Sequence, residues 1–428
     1  VSPTYAIATL GCKTNQFESA AMEELLAEAG YRPVPFSEGA DLVVINTCTV
    51  TAATDSQSRN LIRRARRINP RCRILVTGCY AQIDPQALAA LPGVSVVIGN
   101  EEKHRLPVFL AEDKTGIHVT DIRKSAGPAM TLSSFSGRSR AFLQIQNGCD
   151  AFCSYCIIPH ARGPSRSVPM DQVVRQVEQL TDRGFAEVVL TGIHVGAYGQ
   201  DLQPPCSLLQ LVDRIQRDTA VRRLRLGSME PLEISPELIR AAAGSTIICP
   251  HFHIPLQSGD DAVLERMNRH YGADFFRRLV NDIRRRLPDA AIGCDVITGF
   301  PGESEQEFTN TLRLIEELPL THLHVFPFSR RPGTPAADMP NQIAAPVARE
   351  RAARLRELGE EKLAEFSGSF IGRTLEVVVE GRGRGGQSKG LTGNYLSVTF
   401  SCPAELEGRL VPVVIEDRTG DGLKGRLA

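Results

Sequence analysis

Short apolar runs alternate with stretches of helical character through residues 1–100, and again from Ala141 onward. This rhythm constrains the fold more than any other feature of the chain. Strands separated by helices are joined by crossovers rather than hairpins, so neighbouring strands run parallel. In the first series the expected strands are Tyr5–Leu10, Asp41–Asn46, Arg73–Thr77 and Val94–Ile98, with helices near Asn15–Ala29, Thr51–Ile68 and Pro85–Leu91. Asp84 suits an N-cap, and Pro85 suits the first helical position. An open parallel α/β domain is the expected result.

Residues 111–138 lose the rhythm, are rich in Gly, Ser, Thr and charge, and are expected to be a linker. The second series has six expected strands: Phe142–Gln146, Glu187–Leu190, Arg223–Leu226, Phe252–Ile254, Ile292–Ile297 and Leu323–Phe326. Helices start at Ser235-Pro236-Glu237 and at Ser304, where Glu307 completes a capping box. Six βα steps fit a partial, TIM-like (β/α)6 barrel, since the complete eightfold form needs about 250 residues. A charged helix from Val347 to Glu365 follows. Beyond it, Leu375–Val379, Tyr395–Thr399 and Leu410–Ile415 are β-type runs between Gly-rich turns, as expected of a small all-β barrel. The expected domains are 1–128, 129–364 and 365–428.

Composition narrows the function. The 428 residues carry 49 basic and 49 acidic side chains, so any anionic partner must meet a local patch. No stretch approaches the roughly 20 apolar residues of a membrane span. The start, Val-Ser-Pro-Thr-Tyr-Ala-Ile, lacks the pattern of a signal peptide, so the cytoplasm is the expected location. In a reducing compartment eleven cysteines point to metal or redox chemistry rather than disulfides.

Two groups of cysteines carry that chemistry. Asn147-Gly-Cys149-Asp-Ala-Phe-Cys153-Ser-Tyr-Cys156 places three thiols on a short loop after the first strand of the second series. Three thiolates hold three irons of a four-iron cluster and leave the fourth iron open; the alternative is zinc, with His160 as fourth ligand. Cys12, Cys48 and Cys79 are scattered in sequence, yet each follows an expected parallel strand. Strand ends on one side of a parallel sheet lie together, so these three should converge on a second cluster. Cys72, Cys206, Cys249, Cys294 and Cys402 lack ligand spacing and are expected to be structural.

Further polar groups gather at the expected barrel rim. Thr191-Gly192-Ile-His194, Gly227-Ser228-Met-Glu230, Pro255-Leu-Gln257-Ser258-Gly259 and Asp295 with Thr298-Gly299 follow or lie within successive strands. Such groups suit the amine, carboxylate and ribose of a cofactor. Gly381-Arg-Gly383-Arg-Gly-Gly386 matches a dinucleotide motif, but no helix opens after it, and it is rejected. Seven arginines lie between Arg59 and Arg73 with no acid among them, which favours phosphate contact over a merely solvated helix face.

On these residues the chain resembles the methylthiotransferases of the radical S-adenosylmethionine superfamily over essentially its whole length. Gly11-Cys12, Asn46-Thr-Cys48, Thr77-Gly-Cys79, Gly148-Cys149-Asp through Cys156-Ile-Ile-Pro159, and Pro255-Leu-Gln-Ser-Gly259 carry the resemblance. Three branches of the family act on isopentenyladenosine in tRNA, threonylcarbamoyladenosine in tRNA, or an aspartate of a ribosomal protein. Gly11-Cys12-Lys13-Thr14-Asn15-Gln16 resembles the threonylcarbamoyladenosine branch, as do Phe326-Pro-Phe-Ser329-Arg330-Arg331-Pro-Gly-Thr334-Pro335 and Met339-Pro340. Asn147 stands where many relatives have Asp. The C-terminal module, similar to a TRAM domain, carries only eight basic against seven acidic residues over 371–428.

The resemblance implies two 4Fe-4S clusters, one on Cys149, Cys153 and Cys156 with S-adenosyl-L-methionine, the other on Cys12, Cys48 and Cys79 presenting sulfur. Tyr155, Thr191, Gly192, Ser228, Glu230, Gln257, Asp295 and Phe326 are the expected contacts of S-adenosyl-L-methionine. Arg63, Arg64, Arg66 and Arg67 are the expected contacts of tRNA, at its anticodon stem-loop, and a flavodoxin or ferredoxin is the expected electron donor. The chemistry implied is hydrogen removal from carbon 2 of adenine and methylthio transfer to it. The non-enzyme alternative is an iron–sulfur or zinc protein that only binds RNA.

Overall fold

The computed structural model describes all residues except 1, 125–129, 131, 133–137, 383–386 and 421. It divides into two compact units, one of Val1–Ser136, Gln144–Val168 and Ser329–Ala337, the other of Gly137–Leu143, Pro169–Phe328 and Asp338–Ala428.

The first unit is built on β1 (Thr4–Thr9), α1 (Lys13–Glu28), β2 (Arg32–Pro33), β3 (Leu42–Thr47), α2 (Ala52–Ile68), β4 (Arg73–Gly78), α3 (Cys79–Ile83), α4 (Pro85–Ala89), β5 (Val94–Ile98), α5 (Leu106–Ala111) and β6 (Gly116–His118). The six strands form one parallel sheet in the order β2-β1-β3-β4-β5-β6. Alternate residues pack on opposite faces. Val43, Ile45, Ile74 and Val76 meet Ile62 and Ala65 of α2, while Leu42, Val44 and Leu75 meet Met22 and Leu26 of α1. Burial on both faces explains why these strands read as continuous apolar runs. Thr51 caps α2 and Asp84 caps α4. Edge strand β2, beginning at an arginine and ending at a proline, has no apolar run. Strand β6 lies in the stretch expected to be linker, part of which falls outside the described residues. The unit is completed by β8 (Gln146–Asn147), α6 (Ile158–Arg162) and β9 (Arg166–Ser167).

The second unit carries six parallel barrel strands: β7 (Ala141–Gln144), β10 (Glu187–Thr191), β11 (Arg223–Leu226), β12 (His251–His253), β13 (Ala291–Thr298) and β14 (His322–Pro327). They form the sheets β11-β10-β7 and β12-β13-β14, joined by a bridge between Leu224 and Ile248. The crossover helices are α7 (Met170–Asp182), α8 (Leu208–Asp218), α9 (Pro236–Gly244), α10 (Asp261–Arg266), α11 (Ala273–Arg286) and α12 (Glu305–Glu317); after the last strand come α13 (Pro335–Asp338), most of which belongs to the first unit, and α14 (Ala345–Gly368). Ser304 and Glu307 form the expected capping box. The partial (β/α)6 barrel expected from the sequence is thus the one observed.

The C-terminal residues form a closed five-stranded barrel of β15 (Thr374–Arg382), β16 (Ser388–Thr392), β17 (Ser397–Phe400), β18 (Leu410–Thr419) and β19 (Gly422–Leu427). Its core is Val377, Val379, Val398, Phe400, Val411, Val413, Ile415 and Leu423. The two strands absent from the sequence reading, β16 and β19, contain Lys and Gly and lack an apolar run. Closure is what recruits them, since a barrel leaves no edge unpaired. The rejected glycine motif lies partly outside the described residues. No helix among the described residues is long and apolar enough to cross a membrane.

Candidate functional site

The first cysteine trio is assembled by sheet register. Thr9 pairs with Asn46 and Thr47 with Gly78, so the turns carrying Cys12, Cys48 and Cys79 leave three adjacent strands at one edge. Two glycines permit the approach. A Cβ on Gly11, at φ +93°, would meet the Cβ and Sγ of Cys48 at 2.8 Å; one on Gly78, at φ +99°, would meet the Thr47 carbonyl oxygen at 2.3 Å. Asn15 ties the turns together, its Nδ2 donating to the carbonyls of Leu10 (2.7 Å) and Thr47 (3.0 Å). Burial, and then the neighbouring Cys79 and Cys12, push the Cys48 thiol up to about 12.

Beside the trio is a buried charged network. Arg162 Nη1 donates to Glu18 (2.6 Å) and Asn147 Oδ1 (3.0 Å), and Nη2 donates to Glu18 (3.1 Å) and to Asn15. Lys103 donates to Glu18 at 2.5 Å. Burial alone would raise the Glu18 pKa, but Arg162 and Lys103 bring it down to about 2. Burial likewise opposes the Arg162 charge, which Cys79, Glu18 and Cys12 restore and hold above its ordinary range. The sequence reading missed this network because its members are distant in the chain and follow no period.

The second trio lies on the loop between β8 and α6, in the same unit. Gly148, at φ +75°, abuts Pro164, whose carbonyl oxygen a Cβ would meet at 1.8 Å. The Cys149 N–H donates to Gly163 O (3.0 Å), and the Cys156 N–H to Cys153 O (2.9 Å). The Ala151 N–H donates to Cys149 Sγ (3.5 Å). Cys153 is buried, and Cys149, Cys156 and Tyr155 are half-buried. The proposed zinc ligand His160 is exposed, edge-on to Phe152 at 6.1 Å. Among the described residues, His253, Asp295 and His324 form a three-donor group whose ligand atoms lie within 4.8 Å of one another.

The remaining expected cofactor residues lie in the second unit, near the C-terminal ends of β10–β14. Thr191 is buried, Gly192 half-buried and Ser228 exposed. Glu230 is paired with Arg269 (3.1 Å). Gln257, at φ 64°, extends the sheet, its N–H donating to Asp295 O (2.8 Å) and its carbonyl accepting from Ile297 N–H (2.9 Å). Phe326 is 46% exposed.

One barrel face also holds four histidines that the sequence reading passed over. His253 Nε2 lies 2.9 Å from Asp295 Oδ1, and His324 Nδ1 lies 3.3 Å from the same atom. The rings of His251 and His322 continue the group, with Tyr395 stacked 4.5 Å from His251. Gly293 makes room for them, since a Cβ there would meet His322 Nε2 at 2.2 Å. His251-Phe-His253 and His322-Leu-His324 carry the signal, a period of two on strands.

Of the arginine run, Arg73 is used structurally, donating to Phe109, Leu110 and Lys114 carbonyls. Arg59 bonds Tyr80 and Ser56. Arg63, Arg64, Arg66 and Arg67 are exposed on α2.

Comparison with known proteins agrees with this geometry. The uncharacterized protein family UPF0004 matches residues 4–99, and the radical SAM superfamily matches residues 143–315. The threonylcarbamoyladenosine tRNA methylthiotransferase MtaB of Bacillus subtilis is 41% identical, over 96% of this chain and 93% of its own length. Its Aquifex aeolicus counterpart is 38% identical, over 96% and 99%. The tRNA-2-methylthio-N(6)-dimethylallyladenosine synthase of Syntrophobacter fumaroxidans is 34% identical, over 100% and 96%. Among solved structures, the radical S-adenosylmethionine methyltransferase TsrM of Kitasatospora setae shares the fold, with TM-score 0.56 and 16% identity over 79% of this chain and 74% of that one. The chain therefore belongs to the tRNA methylthiotransferase family of radical S-adenosylmethionine enzymes.

Proposed function

We propose that this enzyme installs a methylthio group at carbon 2 of N6-threonylcarbamoyladenosine beside the anticodon of tRNA. The observation that carries this reading is the pair of cysteine trios, Cys12/Cys48/Cys79 and Cys149/Cys153/Cys156, each on turns shaped by glycines that tolerate no side chain. Each trio would hold a 4Fe-4S cluster. When bound, the clusters and S-adenosyl-L-methionine supply reductive sulfonium cleavage and the sulfur to be transferred.

The chain's own residues bind and orient. Thr191, Gly192, Ser228, Glu230, Gln257, Asp295 and Phe326, with Tyr155, are assigned to S-adenosyl-L-methionine. Arg269 holds Glu230 in place, and His253 and His324 hold Asp295. Arg63, Arg64, Arg66 and Arg67 are assigned to tRNA phosphates. Residues 1–128, 129–364 and 365–428 would act as methylthiotransferase, radical and TRAM-like domains. A flavodoxin or ferredoxin would supply electrons, in the cytoplasm.

Two observations favour threonylcarbamoyladenosine over dimethylallyladenosine. The two MtaB relatives described above match at 38% and 41%, against 34% for the dimethylallyladenosine synthase. The Gly11-Cys12-Lys13-Thr14-Asn15-Gln16 segment also resembles the threonylcarbamoyladenosine branch. Mass spectrometry of tRNA nucleosides from a deletion strain tests this. Loss of methylthiolated threonylcarbamoyladenosine supports it; loss of the methylthiolated isopentenyl nucleoside instead overturns it.

A further inference from the structure

Arg162 stands where the chain leaves the second cysteine loop, at the end of α6, yet its guanidinium reaches Glu18 and Asn15 on the helix that follows Cys12. It is fully buried, and four contacts fix its plane: two to Glu18, one to Asn147 and one to Asn15. Asn15 in turn grips the carbonyls preceding Gly11-Cys12 and Cys48. One N–H is left over. Arg162 Nε is buried with no hydrogen-bond partner, a cost that native proteins seldom leave unmet.

The local charge is also incomplete. Arg162 and Lys103 are both buried and share one carboxylate, Glu18. Two cations against one anion leave a positive charge inside the unit. A four-iron cluster with three thiolate ligands carries net negative charge and accepts hydrogen bonds at its sulfurs. Hydrogen bonds to sulfur and nearby charge are the means by which a protein sets cluster potential.

We propose that Arg162, supported by Lys103, is a positioning residue for the cluster of Cys12, Cys48 and Cys79, donating through Nε–H to its sulfur and balancing its charge. The inference rests on the assignment of that trio to a cluster. The same arginine touches Asn147, next to the second cysteine loop, so one side chain bears on both cysteine sites of this unit.

The test uses the full chain carrying Cys149→Ala, Cys153→Ala and Cys156→Ala, so that all remaining iron reports the N-terminal site. After anaerobic reconstitution, the midpoint potential is read by electron paramagnetic resonance, and iron loss is followed during a chelator challenge. Arg162→Gln should move the potential to a more negative value and speed iron loss about tenfold, as loss of a charged hydrogen bond implies. Arg162→Lys, which keeps the charge and loses the fork, should recover part of the potential shift. Lys103→Met removes charge without touching the Arg162 contacts and should shift the potential the same way. Folded Arg162→Gln and Lys103→Met proteins with parental potential and iron retention overturn the proposal. If Arg162→Gln does not fold by circular dichroism, Lys103→Met decides alone: a negative shift supports the proposal, and a parental potential overturns it. A parent triple variant that binds no iron refutes the cluster assignment itself, and this inference with it.

Discussion

Gly11 and Cys48 come from separate strand ends, yet a Cβ on the glycine would stand 2.8 Å from both the Cβ and the Sγ of the cysteine. Gly11 also sits at φ +93°, where a side chain costs about 1–2 kcal/mol. Gly11→Ala should therefore displace Cys48 rather than merely soften the loop. The expected protein is folded, holds roughly half the parental iron, and still releases 5′-deoxyadenosine from S-adenosyl-L-methionine. Parental iron content would show that the two residues need not touch.

The two cysteine trios should separate by function. Cys12→Ala, Cys48→Ala and Cys79→Ala together should leave reductive cleavage of S-adenosyl-L-methionine measurable and abolish methylthio transfer. The same change at Cys149, Cys153 and Cys156 should abolish both. Scoring 5′-deoxyadenosine and modified nucleoside in one anaerobic reaction distinguishes them, with circular dichroism as the folding control. A folded N-terminal triple variant that transfers methylthio groups at the parental rate refutes the assignment.

Glu18 makes stability depend on acid. Its carboxyl is lowered to about 2 in the fold, because Arg162 and Lys103 outweigh the burial that would raise it. A carboxyl lowered in the folded state stabilises above its ordinary pKa and loses that contribution as pH falls through the folded value. The loss should span about pH 4.5 to 2 and amount to a few kcal/mol. Urea unfolding of the metal-free protein across this window measures it. Glu18→Gln should flatten that limb, and by stranding two buried cations should lower stability at neutral pH by about 3–5 kcal/mol.

Most of the fold was legible because parallel strands buried on both faces leave apolar runs, as at Leu42–Thr47 and Glu187–Thr191. What escaped was structure made by closure or by edges. Strands β16 and β19 are drawn in by the barrel they complete, and β2 and β6 only border the sheet. The same division holds for the site. Cys12, Cys48 and Cys79 could be read because topology alone places strand ends together. Glu18, Lys103 and Arg162 could not, since a buried ion network depends on three-dimensional packing and leaves no periodic trace. His251, His253, His322 and His324 lie between these cases, a period-two signal that was present and unused.

The final prediction concerns tRNA. Arg63, Arg64, Arg66 and Arg67 are exposed on α2, and no carboxylate pairs with any of them among the described residues. Arg64 rests over the Phe36 ring at 5.4 Å, and Arg66 runs past Gly93, where a Cβ would meet its Cδ at 2.8 Å. Arg64 makes its contact with the guanidinium and Arg66 largely with its stem, and both side chains stay exposed. A solvated helix face would show this too, so salt dependence must decide. Each phosphate contact releases bound counterion and adds roughly one unit to the slope of log affinity against log salt. Replacing all four arginines with Ala should weaken tRNA binding and flatten that slope by roughly one unit for each lost contact. Arg73→Ala provides the contrast. It removes bonds to the Phe109, Leu110 and Lys114 carbonyls, so it should lower stability while leaving the slope unchanged. A fourfold variant that binds tRNA with parental affinity and slope makes α2 a bystander and moves the RNA surface elsewhere on the enzyme.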